Sequence, residues 1–417
     1  MAVPSVLQLS CGCNQYPWGK QGSKSLAATL CAKTPGWEGK GPANKFSIDE
    51  SKPYAEMWMG TYPELPSYVL STGQDLQELI DKNENHLIGD GVLEKFGHSK
   101  IPFLPKILSI AKALPLQLHP NKELASKLHQ KDPSNFTDPN HKPEIALALS
   151  DFEAFCGFKP LADIRALLQL DPLKQFLPKD SSDFTNEDLR EVVRAMLKAD
   201  ESSVKKTVEA LQHVPASSLG TNAHILDLIP RLVDQYEKTD NGILVALITM
   251  NYLTLKPGEC ISIPADGIHA YLSGDIVECM ARSNNVLNTG FCPRAERNSV
   301  DLFCSCLTFA PHSAEDCRLR PEPYYRAKNG HTEVFKPPMN EFNILSTKMK
   351  VGAKEILAPI NGPSIAIATS GSGLLNANGE EFPIKEGSVW FIGKGTEVRL
   401  EAKENLVWYI AFADPST

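Results

Sequence analysis

The chain has 417 residues, 42% of them apolar, and a formal net charge of −8. That length allows two or three packed units, because single cores stop growing near ~250–300 residues. The acidic balance, with no basic stripe, argues against nucleic acid as a partner, and no apolar run approaches the ~20 residues of a membrane span.

The start, Met1-Ala2-Val3-Pro4-Ser5, has no basic segment followed by an apolar one, so no secretory leader is expected. Ten cysteines without a secreted context read as reduced thiols of a cytoplasmic protein. The C-x-C pairs Cys11/Cys13 and Cys304/Cys306 have no second Cys or His pair at zinc-finger spacing.

Residues 1–150 combine Pro, Gly and short apolar runs such as Tyr54–Thr61 and Ile101–His119, which predict short strands, with a helix near Leu76–Ile88. Residues 160–237 change character. Asp163, Ile164, Leu167 and Leu168 suggest one helix. Thr185-Asn-Glu-Asp188 has capping-box spacing, with Asp in the usual Glu place. Leu189, Val192, Val193, Met196 and Leu197 then form an amphipathic stripe, and Val204, Val208 and Leu211 begin another. From Gly242 a β pattern is read again, as Ile243–Leu255, Cys260–Ile263 and Ile276–Met280. The last ~100 residues read as short strands between Gly and Pro turns. The Pro-rich stretch 311–323 reads as a linker.

An internal repeat accompanies this pattern. Gly258-Glu-Cys-Ile-Ser-Ile-Pro264 is followed by His269, and Gly387-Ser-Val-Trp-Phe-Ile-Gly393 by Val398 at the same spacing. Both resemble a conserved motif of cupin β-barrels. The expected fold is therefore mainly β with a helical insertion: two cupin-type jelly-roll barrels plus an α-helical domain. The expected division is 1–155 with 242–310 as a first cupin unit, which keeps the histidine, 156–241 as a helical unit, and 311–417 as a C-terminal cupin-like unit. Val398 in place of a histidine makes the second barrel a structural one, without a metal.

The strongest local signal is Leu116-Gln117-Leu118-His119-Pro120. On a strand, Gln117 and His119 share a face. Glu144, in His141-Lys142-Pro143-Glu144, and His269 complete an N/O set of two imidazoles, a carboxylate and an amide. Such a set suits zinc and leaves room for water or substrate.

Taken in order, Tyr16-Pro-Trp18-Gly19, Tyr54-Ala-Glu56-Met-Trp58-Met59-Gly60-Thr61, Pro105-Lys106-Ile-Leu-Ser109, Gln117-Leu-His119-Pro120, His141-Lys142-Pro143-Glu144, Phe155-Cys156-Gly157-Phe158, Ile263–Asp275 and Glu278-Cys279-Met280-Ala281 resemble the type I phosphomannose isomerases over nearly the whole chain. The resemblance implies one zinc per chain on Gln117, His119, Glu144 and His269. It implies a pocket lined by Lys106, Lys142 and Glu278, with Trp18, Tyr271 and Asn288 at the substrate. It also implies reversible isomerisation of mannose 6-phosphate and fructose 6-phosphate, which feeds GDP-mannose synthesis. The expected partner is a small sugar phosphate, with no nucleic acid or membrane, and a monomer is expected.

Aldose–ketose isomerisation needs a base, which Glu278 or a lysine of lowered pKa could supply, and an anchor for phosphate, which Arg294 could supply. The chain departs from the family pattern after Glu278. Asn284 stands for an aspartate, Asn288 for the arginine usually treated as catalytic, and Arg294 for a lysine. Pro115 and Tyr62 replace a Ser and a His. Arg294 and Arg282 are the candidates to supply the missing charge. A non-catalytic sugar-phosphate binder descended from such an isomerase, motivated by Asn288, and a metal-dependent cupin oxygenase are the competing readings. Gln-x-His in place of His-x-His weighs against the oxygenase.

Overall fold

The computed structural model describes residues 3–34, 45–178 and 183–416. Met1 and Ala2, part of the start read for a leader, lie outside them. Helices form where the sequence marks them most clearly. Thr185 caps Asn186–Lys198: its hydroxyl accepts from Asp188 N–H, and the Asp188 carboxylate accepts from Thr185 N–H. All five stripe residues of that helix are buried. Glu201–Leu211, capped by Asp200, buries Val204, Val208 and Leu211, and Leu161–Leu168 buries Ile164, Leu167 and Leu168.

The reading of Ile243–Leu255 as strand needs correction. Asn241–Thr249 is a helix with every residue buried, and only Met250–Leu255 is extended. An unbroken apolar run has no polar face to reveal its period, so a wholly buried helix and a wholly buried strand look alike in sequence. The deciding signal is Asp240, whose carboxylate accepts from Gly242 N–H at 2.7 Å and starts the helix.

The expected pair of cupin-type jelly-roll barrels is also overturned. Among the described residues, 12 α-helices alternate with 24 strands in a mixed α/β fold. The strands form sheets of eight, ten, four and two, and none closes into a barrel. The eight-stranded sheet runs from the Glu322–Pro323 strand at one edge to Tyr68–Val69 at the other. The strand–turn–strand repeat itself is present twice. A repeat of that size reports local geometry and says nothing about whether distant sheet edges meet.

The ten-stranded sheet positions the site. Its longest strand, His269–Ala281, pairs with Phe103–Ile110, Glu144–Ala148 and Phe152–Phe158, and at its first residue with Leu116–Leu118. Phe152–Phe158 pairs directly with Met250–Leu255, so the helical stretch between them leaves and re-enters one sheet. Helix residues such as Leu189 and Ile229 share a core with Leu116, Leu118 and Phe155 of the sheet. The stretch read as a linker is packed: Leu319 N–H donates to Cys260 O at 2.9 Å, and Cys317 is buried against the sheet. No helix of the described residues is long and apolar enough to cross a membrane.

Candidate functional site

His119, Glu144 and His269 come together as the one group of three metal-capable residues among those described, with ligand atoms within 4.8 Å of one another and all three buried. Each enters from a strand end. His119 follows Leu116–Leu118, Glu144 opens Glu144–Ala148, and His269 opens the long strand. Gln117 lies directly opposite His269 in the ladder, its Nε2 3.3 Å from His269 Nε2. A half-turn of that amide presents its oxygen instead.

Both imidazoles are oriented from behind. His119 Nδ1–H donates to Asn285 O at 2.7 Å, and His269 Nδ1–H donates to Gly267 O at 3.0 Å. That fixes the tautomer and leaves each Nε2 lone pair facing Glu144, at 3.2 Å for His119 and 3.7 Å for His269. Burial pushes His119 down to about 4 and lowers His269 as well, so both rings are neutral at ordinary pH. Burial alone would raise Glu144, but Lys142 at 3.3 Å and the two rings hold it well below the usual carboxylate range. Lone pairs therefore face a buried carboxylate, and His119 Nε2 has no hydrogen-bond partner. An unpaired polar atom in such a place is costly. Two neutral imidazoles and a carboxylate fit a single zinc ion.

A second buried cluster lies beside the first. Lys106 stands opposite Glu278 in the ladder and 2.9 Å from it, and 3.5 Å from Glu56. Glu56 also accepts from Trp58 Nε1–H at 2.6 Å, and the lysine lies over the Trp58 ring. Burial works to lower the Lys106 pKa, but Glu278 and Glu56 raise it further, so the ammonium stays charged. Burial pushes the Glu278 carboxyl up to about 7 against the pull of Lys106. Tyr271 is fully buried, and its hydroxyl donates to Glu144 Oε2 at 3.3 Å.

The other expected residues lie further out. Trp18 is half-buried and stacks on Tyr16. Asn288 is paired across the ladder with Gln117, and its side-chain oxygen is buried without a partner. Arg294 is exposed and pairs with Glu201 at 3.0 Å, lining a cavity of about 530 Å³ with Lys112 and Arg297. Arg282 donates to both Thr61 Oγ1 and Thr61 O at 3.0 Å and lies over the Tyr62 ring. Glu56, Asn285 and Gly267 were missed in the sequence. Glu56 carried a usable signal, alternating with Trp58 on a strand between apolar neighbours. The two carbonyls carry none, because any residue has one.

Comparisons with known proteins place the whole chain in one family. A family described as phosphomannose isomerase type I, catalytic domain, matches residues 6–161, and its C-terminal counterpart matches residues 333–380. A mannose-6-phosphate isomerase of Emericella nidulans is 36% identical over 96% of this chain and 93% of that protein. The mannose-6-phosphate isomerase of Saccharomyces cerevisiae is 35% identical over 99% of both. Among solved structures, mannose 6-phosphate isomerase from Salmonella typhimurium bound to fructose 6-phosphate and zinc aligns with a TM-score of 0.81 at 24% identity, covering 98% of this chain and 100% of that one. With identities above a third sustained along nearly its full length, this chain belongs to the type I phosphomannose isomerase family.

Proposed function

We infer that this chain is an aldose–ketose isomerase that interconverts mannose 6-phosphate and fructose 6-phosphate, with one zinc ion held by His119, Glu144, His269 and the amide oxygen of Gln117. The observation that carries the reading is the pair of neutral, back-anchored imidazoles facing one buried carboxylate, in a chain of this family. When bound, the zinc supplies Lewis-acid polarisation of the sugar oxygens.

The chain's own groups supply the rest. Tyr271 and Lys142 hold Glu144 in position from two sides. Glu278 takes the proton from C2 of the aldose and returns it at C1, by way of an enediol. A carboxyl near pH 7 suits both halves of that transfer. Lys106 stays charged and steadies the carboxylate form of Glu278. Trp18 covers the sugar and Asn288 offers it an unpaired amide oxygen. The phosphate dianion enters the cleft lined by Lys112, Arg294 and Arg297, in which Asp240 holds Arg297 at 2.7 Å and Arg294 exchanges Glu201 for the substrate. Arg282, held by Thr61 and Tyr62, secures the strand end instead of touching the sugar.

A coupled assay of fructose 6-phosphate formation from mannose 6-phosphate tests the reading. Metal-replete protein should turn over, chelated protein should not, and zinc should restore the rate. Absence of turnover in protein carrying a full zinc complement would favour the non-catalytic binder.

A further inference from the structure

The strand Leu287–Gly290 ends at a buried ion pair. Asp240 is only 3% exposed, so its charge needs partners, and its carboxylate accepts three bonds. They come from Gly242 N–H at 2.7 Å, Phe291 N–H at 3.0 Å and Arg297 Nη2–H at 2.7 Å. Arg297 also donates to Cys292 O, from Nε at 3.2 Å and Nη2 at 3.0 Å. One guanidinium thus ties both ends of the 292–297 turn to the start of the Asn241–Thr249 helix. Asn298 closes the turn: its N–H donates to Asn288 O at 2.9 Å, and its side-chain oxygen accepts from Asn288 N–H at 2.8 Å.

The backbone at this junction tolerates little movement. Phe291 sits at φ +53°, the left-handed region that is costly for a bulky side chain. Such a residue stays there only when its surroundings fix it, and Asp240 binds its N–H. Gly290 lies against the helix, since a Cβ there would be 2.6 Å from Gly242 Cα. The strand so fixed runs beside the metal ligands. Leu287, Asn288 and Gly290 stand opposite Leu118, Gln117 and Leu116, whereas on its other side that short strand has the single pairing of Gln117 with His269. Just before Leu287, Asn285 O takes the His119 Nδ1–H.

We propose that Asp240, acting through Arg297, is a positioning residue for the metal centre: the pair sets the register of Leu287–Gly290, and with it the Gln117 amide and the carbonyl behind His119. This role rests on the zinc set proposed above, Gln117 included. Arg297 also lines the phosphate cleft, and a direct phosphate role for it predicts the opposite sign. Removing the Asp240 charge would then free Arg297 and lower KM. In the positioning role the same change loosens the turn that carries Arg294 and raises KM.

The test uses full-length Asp240→Asn, Arg297→Met and Arg297→Lys, with zinc affinity read by competition with a chelator, thermal unfolding of the metal-free protein, and kcat and KM on mannose 6-phosphate. Asp240→Asn sets an amide donor against Arg297 and Phe291 N–H. It and Arg297→Met should weaken zinc binding roughly 10- to 100-fold, and Arg297→Lys, which keeps the charge, should recover part of that loss. Asn241→Ala is the control. Its neighbouring side chain bonds Met196 O and Ala199 O instead, so it should lower thermal stability and leave zinc affinity unchanged. Wild-type zinc affinity in both Asp240→Asn and Arg297→Met, an equal loss in Asn241→Ala, or a lower KM in Asp240→Asn would overturn the role. Gln117→Ala separates the two levels. Zinc retained there would remove the ligand on which the role rests. Zinc weakened there but not in the Asp240 and Arg297 variants would overturn the positioning role alone. The zinc titration stands whatever the outcome of the isomerase assay.

Discussion

The strand Cys260–Ile263 turns into the strand that begins at His269, and the strand Val389–Ile392 turns, residue for residue, into the strand that begins at Val398. A glycine with positive φ, Gly258 or Gly387, precedes each. In the first copy Ile263 faces Glu144 across the ladder. In the second, Ile392 faces Val6 and Ser364. Val398 packs with Val6, Leu357 and Trp390 in an apolar core, while His269 sits with Glu144 and His119. The backbone device is the same, and a few side chains decide whether it encloses an apolar core or a buried group of residues able to hold a metal. Those polar groups can be buried only as a set, because each alone would carry an uncompensated desolvation cost.

The strongest way to break the contrast is to make the first copy resemble the second. His269→Val removes a ligand and leaves Glu144 facing an apolar wall. Zinc content should fall to background, and turnover by about a thousandfold or more, since the metal supplies several kcal/mol of charge stabilisation. Elemental analysis with the coupled assay reads both. Full zinc content in this variant would refute the ligand assignment.

Glu278→Gln sharpens it by separating metal holding from proton transfer. Zinc should stay, while turnover falls by roughly 10²–10⁴-fold. Because burial raises Glu278 to about 7, its basic form grows as pH rises through that value. The wild-type rate should climb across that range, and the variant should lose the limb. A pH–rate profile and zinc analysis on the same preparation decide it.

Arg294→Ala probes the outermost layer. Loss of a charged contact to phosphate should cost about 1.5–3 kcal/mol, or about 10- to 150-fold in kcat/KM, with thermal stability little changed because the Arg294–Glu201 pair is exposed. Unchanged kcat/KM on mannose 6-phosphate would remove Arg294 from the phosphate cleft.

What the sequence disclosed follows the range of the forces involved. The Asn186–Lys198 helix was legible from its cap and stripe because both act within one or two turns. Asn241–Thr249 was not, because its neighbours bury it on all sides and erase the periodic signal. The repeat at Gly258 and Gly387 was legible as two strand–turn–strand units, but the open sheets were not, since edge pairing depends on residues hundreds of positions apart, as when Val6 meets Ile392. At the site, Gln117 and His119 stood out by alternation. Their joining to Glu144 and His269 came from the family resemblance. Glu56 and the carbonyls of Asn285 and Gly267 emerged only from the folded geometry. Arg294 and Arg282 stand out in the sequence by their charge, and the structure adds partners, Glu201 and Thr61, that charge alone does not reveal.

The central claim is that one copy of the repeat holds a metal and the other does not. An anomalous difference map, recorded at the zinc edge from crystals grown in excess zinc, tests it directly. The account predicts one strong peak about 2.0–2.1 Å from the Nε2 atoms of His119 and His269 and in contact with Glu144, with none within bonding distance of Val398. An empty triad, or a well-occupied ion beside Val398, would contradict it.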